Sequence, residues 1–293
     1  IPDDLGALTT SLKVALADGG CAAVICNTVA RAQEAFVALQ AVFGGDVRLL
    51  HSRFIAPDRA RREAELVAVL GSDGSRRPKR LIVVGTQVLE QSLDVDFDLM
   101  VTDLAPIDLV LQRVGRLHRH PRPNRPASVR EPRLYLSGAD LSQELPVPVR
   151  GSVSVYGLAK LLRTAAVLAG PFERARLDLP GEIPVLVERG YAADLKAPTG
   201  WEACWTEADS QERVRTQKAR ERARAFTVGE PTDEASMSTW LLAPAEDPET
   251  PGQLGKAQVR DGGDSVEVIV LQRDADRVLR LPLGPGPMAG SAI

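Results

Sequence analysis

Between Cys21 and Ser137, short apolar runs alternate with longer stretches of helical spacing, and this alternation constrains the fold more than anything else in the chain. Cys21–Cys26 (CAAVIC), Val47–His51 (VRLLH), Leu81–Val84 (LIVV), Leu99–Thr102 (LMVT) and Arg133–Ser137 (RLYLS) read as strands. Several are apolar at successive positions, as strands buried on both faces are. Val29–Phe43 reads as a helix stopped by Gly44-Gly45. Pro57 opens a second helix through Leu70, with Ala60, Ala64, Val67 and Leu70 on its inward face. Asp108 to about His118 reads as a third, ended by Pro121. Gly71–Arg80 is a polar loop carrying Arg76, Arg77, Lys79 and Arg80, either solvated or an accessory nucleic-acid contact. Such alternation predicts an α/β fold: a parallel sheet with helices on both faces and ligands on the loops at the carboxyl ends of the strands.

After Pro148 the pattern changes. Val155–Leu168 and Ile183–Tyr191 read as helices, and Thr206–Phe226, with six Lys/Arg and four Asp/Glu, as a solvated linker helix. Ala257–Arg260, Val266–Leu271 and Val278–Leu281 read as a small antiparallel meander. The predicted domains are 1–200, the α/β domain with a helical extension; 201–230, the linker helix; and 231–293, a small C-terminal domain. Apolar residues make up 44% of the 293, enough for a substantial core. No run approaches the roughly 18 apolar residues of a membrane span, and no secretion signal opens the chain. Cys21, Cys26 and Cys204 are too few for a disulfide framework or a four-thiolate zinc site. A reducing cytoplasm is the predicted home, with no metal site in this chain.

The net charge of −3 conceals a local excess. From Arg113 to Arg133, seven arginines face one acid, Glu131. Clustered guanidiniums suit phosphate. Within this window Gln112-Arg113-Val114-Gly115-Arg116-Leu117-His118-Arg119 has the form Q-x-x-G-R-x-x-R. On a helix, Gln112, Arg116 and Arg119 share one face. Gly115 removes a side chain beside them, at a cost of about 1 kcal/mol relative to Ala. Two planar donor forks on one face fit a multiply charged anion, such as the charge that grows on a γ-phosphate during phosphoryl transfer. His118 and His120, two apart, do not share a helical face and do not suggest a metal site.

Upstream, Leu81–Val84 leads into Gly85-Thr86-Gln87 and on to Asp94. A Gly-Thr pair after a buried parallel strand places a small hydroxyl and free backbone N–H groups where a nucleic-acid phosphate can sit. Asp94 can accept from a ribose hydroxyl or orient an arginine. Trp201, Trp205 and Trp240 lie near the linker helix and suit a packing contact better than base stacking.

Together these segments resemble motifs V and VI of superfamily-2 helicases, in the second of their two RecA-like domains. More narrowly, G-T-Q-V-L-E-Q-S-L-D-V-D-F-D followed by D-L-V-L-Q-R-V-G-R-L-H-R-H is similar to the CRISPR-associated helicase–nucleases of type I systems. Asn27-Thr28-Val29 with Ala32-Gln33 resembles their motif IV, and Leu50-His51-Ser52-Arg53-Phe54 their L-H-x-R-F segment. Leu179-Pro180, Ile183 and Leu186 to Tyr191 resemble a segment after the second RecA-like domain. Val259-Arg260-Asp261-Gly262 and Ser265 to Val268 resemble the C-terminal domain of subtype E members.

The resemblance implies Arg116 and Arg119 as arginine fingers toward ATP held by the other RecA-like domain. It implies Gln112 as a third catalytic residue, and Asp94 and Gly115 beside the nucleotide. Thr86, Gln87, Asn27, Thr28, His51, Ser52 and Arg53 would face single-stranded DNA. It also implies ATP with Mg²⁺, a nuclease metal in an N-terminal HD domain, and recruitment by the surveillance complex Cascade. An inhibitor protein is a further partner to expect, and a membrane is not.

No G-x-x-x-x-G-K-[ST] phosphate loop, D-E-x-H acid pair or H-x-x-x-H-D cluster occurs in the sequence. The expectation is therefore the C-terminal motor part of a larger enzyme, inactive by itself and partnered by HD and first RecA-like domains. The alternatives are the corresponding part of another superfamily-2 protein, an RNA helicase or a restriction translocase, or a docking module.

Overall fold

A computed structural model describes residues 3–90, 93–140, 145–174, 176–224, 271–273 and 279–280. The chain forms two compact units, Ile1–Ala208 and Asp209–Ile293.

The first unit is built on a five-stranded parallel sheet of β1 (Gly20–Ile25), β2 (Val47–Leu50), β3 (Arg80–Gly85), β4 (Leu99–Asp103) and β5 (Arg133–Ser137), in the order β2-β3-β1-β4-β5. Alternate residues of the central strands feed two cores. Ala22, Val24, Ile82, Val84, Leu99 and Val101 pack on one face beneath α1 (Leu5–Ala15) and α2 (Val29–Phe43). Ala23, Ile25, Leu81, Val83 and Met100 pack on the other with α3 (Ala56–Leu70) and the segment Val95 to Phe97. This two-sided burial is why the strands read as unbroken apolar runs. Small residues suit the middle strand, where β1 has neighbours on both edges.

α3 differs from its predicted orientation. Leu66 and Leu70, with Val69, turn inward, while Ala60, Ala64 and Val67 are exposed. The helix presents an inward face set by its larger side chains, because they bury more apolar area than alanine does.

After β5 come a short antiparallel pair, β6 (Ala139–Asp140) and β7 (Val147–Pro148), then α5 (Arg150–Tyr156), α6 (Leu158–Arg174), α7 (Ile183–Tyr191) and α8 (Glu202–Arg224). The single helix expected over Val155–Leu168 is instead the end of α5 and most of α6. Gly157 separates them at φ 85, a left-handed conformation that glycine adopts readily. Trp201 and Trp205 are 8% exposed and pack with Leu161, Leu162 and Ala165; Trp240 lies outside the described residues. Cys21 and Cys26 are buried core side chains, and burial pushes the Cys21 thiol up to about 12.

In the second unit, β8 (Gln272–Arg273) and β9 (Leu279–Arg280) pair antiparallel. The latter lies within the expected Val278–Leu281 strand. The expected strand Ala257–Arg260, and all but the last residue of the expected strand Val266–Leu271, lie outside the described residues. No helix among the described residues is long and apolar enough to cross a membrane.

Candidate functional site

The helix predicted to run to about His118 stops sooner. α4 spans Ile107–Val114, and Gly115 caps it. Arg116 N then bonds Arg113 O at 2.9 Å and Leu117 N bonds Val114 O at 2.8 Å, which tightens the exit. Phe97 captures the chain: its N–H donates to Arg116 O at 2.9 Å, and its carbonyl accepts from His118 N at 2.9 Å. Leu117 packs into the core beneath that face of the sheet, and His118 takes a positive φ of 50. Pairing with Phe97 thus replaces further helix. Gln112 stays on α4 while Arg116 and Arg119 project from the loop that follows, so the shared helical face does not form. Gly115 also reads differently. A Cβ there would meet Gln112 O at 3.2 Å, so its tight neighbour is the carbonyl of its own helix.

The loop is anchored by acids that alternate with apolar residues in Val95-Asp96-Phe97-Asp98. Asp96 and Asp98 are 0% and 1% exposed. Arg125 pairs with both, Arg122 with Asp96 and Arg77 with Asp98. His120 N donates to Asp96 Oδ1 at 3.3 Å, and Arg125 donates to His120 O at 2.9 Å. The arginine excess between 113 and 133 is therefore partly balanced from outside that window, and Arg113, Arg122 and Arg125 are structural. Arg77 makes the Gly71–Arg80 loop part of this anchor, since Arg77 Nη1 also donates to Asp96 O at 2.9 Å.

Two arginines are left on the loop's outer side. Arg119 Nε lies 2.6 Å from Asp94 Oδ1, and His120 Nε2 lies 3.1 Å from the same oxygen. The hydrogen bond from Arg119, with His120 beside it, holds the Asp94 carboxyl below the usual carboxylate range. Arg116 has no carboxylate partner among the described residues. Its Nη2 donates to Glu90 O at 3.1 Å, and its Nε is buried without a partner. Burial, and then the Arg119 charge, lower its pKa from the ordinary value. Gln112 is exposed nearby in sequence, at the end of α4.

The other predicted residues gather at the carboxyl ends of β1, β2 and β3. Ser52 and Arg53 are exposed, and Thr28 and Gln87 are half-buried. Thr28 caps α2 through Oγ1, which accepts from Arg31 N at 3.3 Å. Asn27, His51 and Thr86 are only 3%, 4% and 2% exposed, a correction to their placement on the ligand-facing surface. Asn27 Nδ2 donates to Leu104 O and Ser152 Oγ, both at 2.8 Å. The Thr86 N–H expected to be free donates to Leu50 O at 3.3 Å. His51 stacks on Phe54 at 4.2 Å, and its Nδ1 accepts from Arg53 N at 3.2 Å. These three shape the strand-end loops from beneath.

The sequence reading missed the connection between the two groups. Arg113 is 0% exposed, and its guanidinium donates to Glu90 Oε2 at 2.6 Å, Thr102 Oγ1 at 2.7 Å and Asn27 Oδ1 at 3.1 Å. Glu90 thus holds Arg113 by its side chain and Arg116 by its carbonyl. The available signal was position: Arg113 falls three residues after buried Val110 and so belongs to the apolar stripe of α4.

A parallel sheet covered by helices on both faces, with loops at the carboxyl ends of its strands, makes a RecA-like α/β domain. The comparisons with known proteins agree. The family described as "CRISPR-associated nuclease/helicase Cas3, C-terminal" matches residues 18–122. The Cas3 nuclease/helicase of Streptococcus thermophilus is 36% identical over 279 residues, which cover 90% of this chain and 28% of that protein. A T. fusca Cas3 structure with ATP superposes with a TM-score of 0.69 at 35% identity, covering 79% of this chain and 26% of that one. A chain of a CRISPR RNA-guided surveillance complex, pre-nicking, gives 0.66 at 33% identity, covering 78% and 27%. The chain is thus similar over most of its length to the C-terminal part of Cas3 proteins. It spans about a quarter of the length of these relatives.

Proposed function

We propose that this chain is the C-terminal motor part of an ATP-driven helicase–nuclease that translocates along single-stranded DNA in CRISPR interference. In this reading residues 1–200 are the second RecA-like domain with its helical extension, 201–230 a linker helix and 231–293 a C-terminal domain. The observation that carries it is Arg116. Arg116 is the loop arginine without a carboxylate among the described residues, so its charge is left for an anion to balance. The residues present therefore fit a polyphosphate.

When bound, ATP supplies the phosphoryl group whose transfer to water drives movement. Arg116 offers its fork to the charge that develops on the terminal phosphate. Asp94 holds Arg119 ready beside it until the anion replaces that carboxylate, and Gln112 orients the water. The anchored loop keeps the arginines in place, so little ordering remains at the moment of reaction. Thr28, Ser52, Arg53 and Gln87 contact the DNA backbone, supported from beneath by Asn27, His51 and Thr86. The phosphate loop and Mg²⁺ ligands belong to a first RecA-like domain, and the nuclease metal to an HD domain. Cascade delivers the DNA, and the protein works in the cytoplasm. The surveillance-complex relative supports the Cascade assignment. This chain alone neither hydrolyses ATP nor unwinds DNA.

Steady-state kinetics of the full-length protein test the reading. Arg116→Ala lowers kcat for DNA-stimulated ATP hydrolysis by about 10³-fold or more while single-stranded DNA affinity stays near the wild-type value. Unchanged kcat would contradict it.

A further inference from the structure

Tyr156 sits on α5, outside the sheet, and none of the roles above includes it. Its hydroxyl oxygen reaches the strand ends, where Gln87 Nε2 donates to it at 2.9 Å and Arg113 Nη2 at 3.3 Å. The polarity of both bonds is fixed. Arginine has no acceptor. Gln87 cannot be flipped, because the same Nε2 also donates at 3.1 Å to Asn27 O, a carbonyl that only accepts. The phenol oxygen is therefore an acceptor in both bonds. Its own hydrogen has no acceptor among the described residues, and burial raises the Tyr156 pKa, so the hydrogen is retained at neutral pH.

The helix is fitted to this face. Ser152 Oγ accepts from Asn27 Nδ2, and a Cβ at Gly151 would stand 2.9 Å from Thr28 Cγ2. Tyr156 and Gln87 are both half-buried rather than sealed. Two conditions for a ligand contact thus meet at one atom: a donor left over by its surroundings, and a place among residues assigned to the DNA backbone.

We propose that Tyr156 donates its hydroxyl hydrogen to a non-bridging phosphodiester oxygen of the bound single-stranded DNA. This rests on the strand-end reading given under the proposed function. The contact is neutral. It adds affinity without releasing a counterion, and the two N–H donors polarise the hydroxyl toward an anionic acceptor.

The test uses full-length wild-type protein and Tyr156→Phe, which keeps the ring. Fluorescence anisotropy measures their binding to an oligodeoxythymidylate at several salt concentrations. The same oligonucleotide is then scanned with a single neutral methylphosphonate at each linkage. Tyr156→Phe is expected to bind about three- to tenfold more weakly, with the salt slope unchanged. At one linkage the methylphosphonate should weaken wild type markedly more than the variant. Equal affinities of the two proteins would overturn the proposal, and so would a variant deficit that stays the same at every linkage, which marks a role in shape alone. Wild-type protein without affinity for the oligonucleotide would overturn the strand-end reading itself, and this contact with it.

Discussion

Arg113 shows how a charge is kept in an interior. Glu90 neutralises it, and Thr102, the Asp103 carbonyl, Asn27 and Tyr156 take its remaining donors; removing one partner of the ion pair would strand the other, which typically costs about 3–5 kcal/mol. Histidines add a pH dependence of their own. His51 and His118 both have pKa values lowered below the ordinary 6.5, chiefly by burial. The unfolded chain therefore binds more protons than the folded one from 6.5 downward. Their stabilising contribution is complete above about pH 6.5 and is lost as pH falls through that value toward the folded ones. Asp58, Asp94 and Asp96 are lowered from 3.8, so their contributions fade only in stronger acid. Chemical denaturation is expected to give lower stability at pH 5.5 than at pH 7.5. A His51→Asn/His118→Asn variant should show a smaller difference, and an unchanged difference would contradict the assignment. At this scale the motif residues were legible because glutamine, glycine and arginine at fixed spacing are rarely needed for packing. Their partners were not, because Glu90, Asp96 and Asp98 meet those arginines across about 20 to 30 positions of chain.

Among the elements, α4 delivers the arginine loop, and α7 fixes α4. Tyr191 donates its hydroxyl to Asp108 Oδ1 at 2.6 Å. A Cβ at Gly190 would come within 2.5 Å of Ile107 Cγ2, so this glycine sets how closely the helices approach. Gly190→Ala is expected to destabilise by roughly 1–3 kcal/mol, as overpacking does. Adding Ile107→Ala should recover part of that in a double-mutant cycle; strictly additive losses would show that the pair does not meet. The strands and α2 could be read from the sequence because apolar runs and a double-glycine stop are local signals. The end of α4 could not, since Phe97 competes for the chain from a distant segment. Nor could the inward face of α3, which depends on the side chains of Phe97 and Met100 beneath it.

For the whole molecule, the central claim is that Arg116 acts on a triphosphate held by another part of the protein. In the proposed reading the strand-end loops and the anchored loop with Arg116, which has no carboxylate partner among the described residues, form half of a cleft, and catalysis by such an arginine is differential: it favours the transition state over the ground state. In the sequence, the expectation of such a division rests on the motifs present and on the lack of a phosphate-loop pattern. The most direct measurement compares ADP with ADP–aluminium fluoride, a mimic of the transferring phosphoryl group, on full-length protein with single-stranded DNA. The account predicts that Arg116→Ala leaves ADP affinity within about twofold while lowering aluminium fluoride complex affinity by about a hundredfold or more. Equal changes in the two affinities, or no change in either, would contradict it.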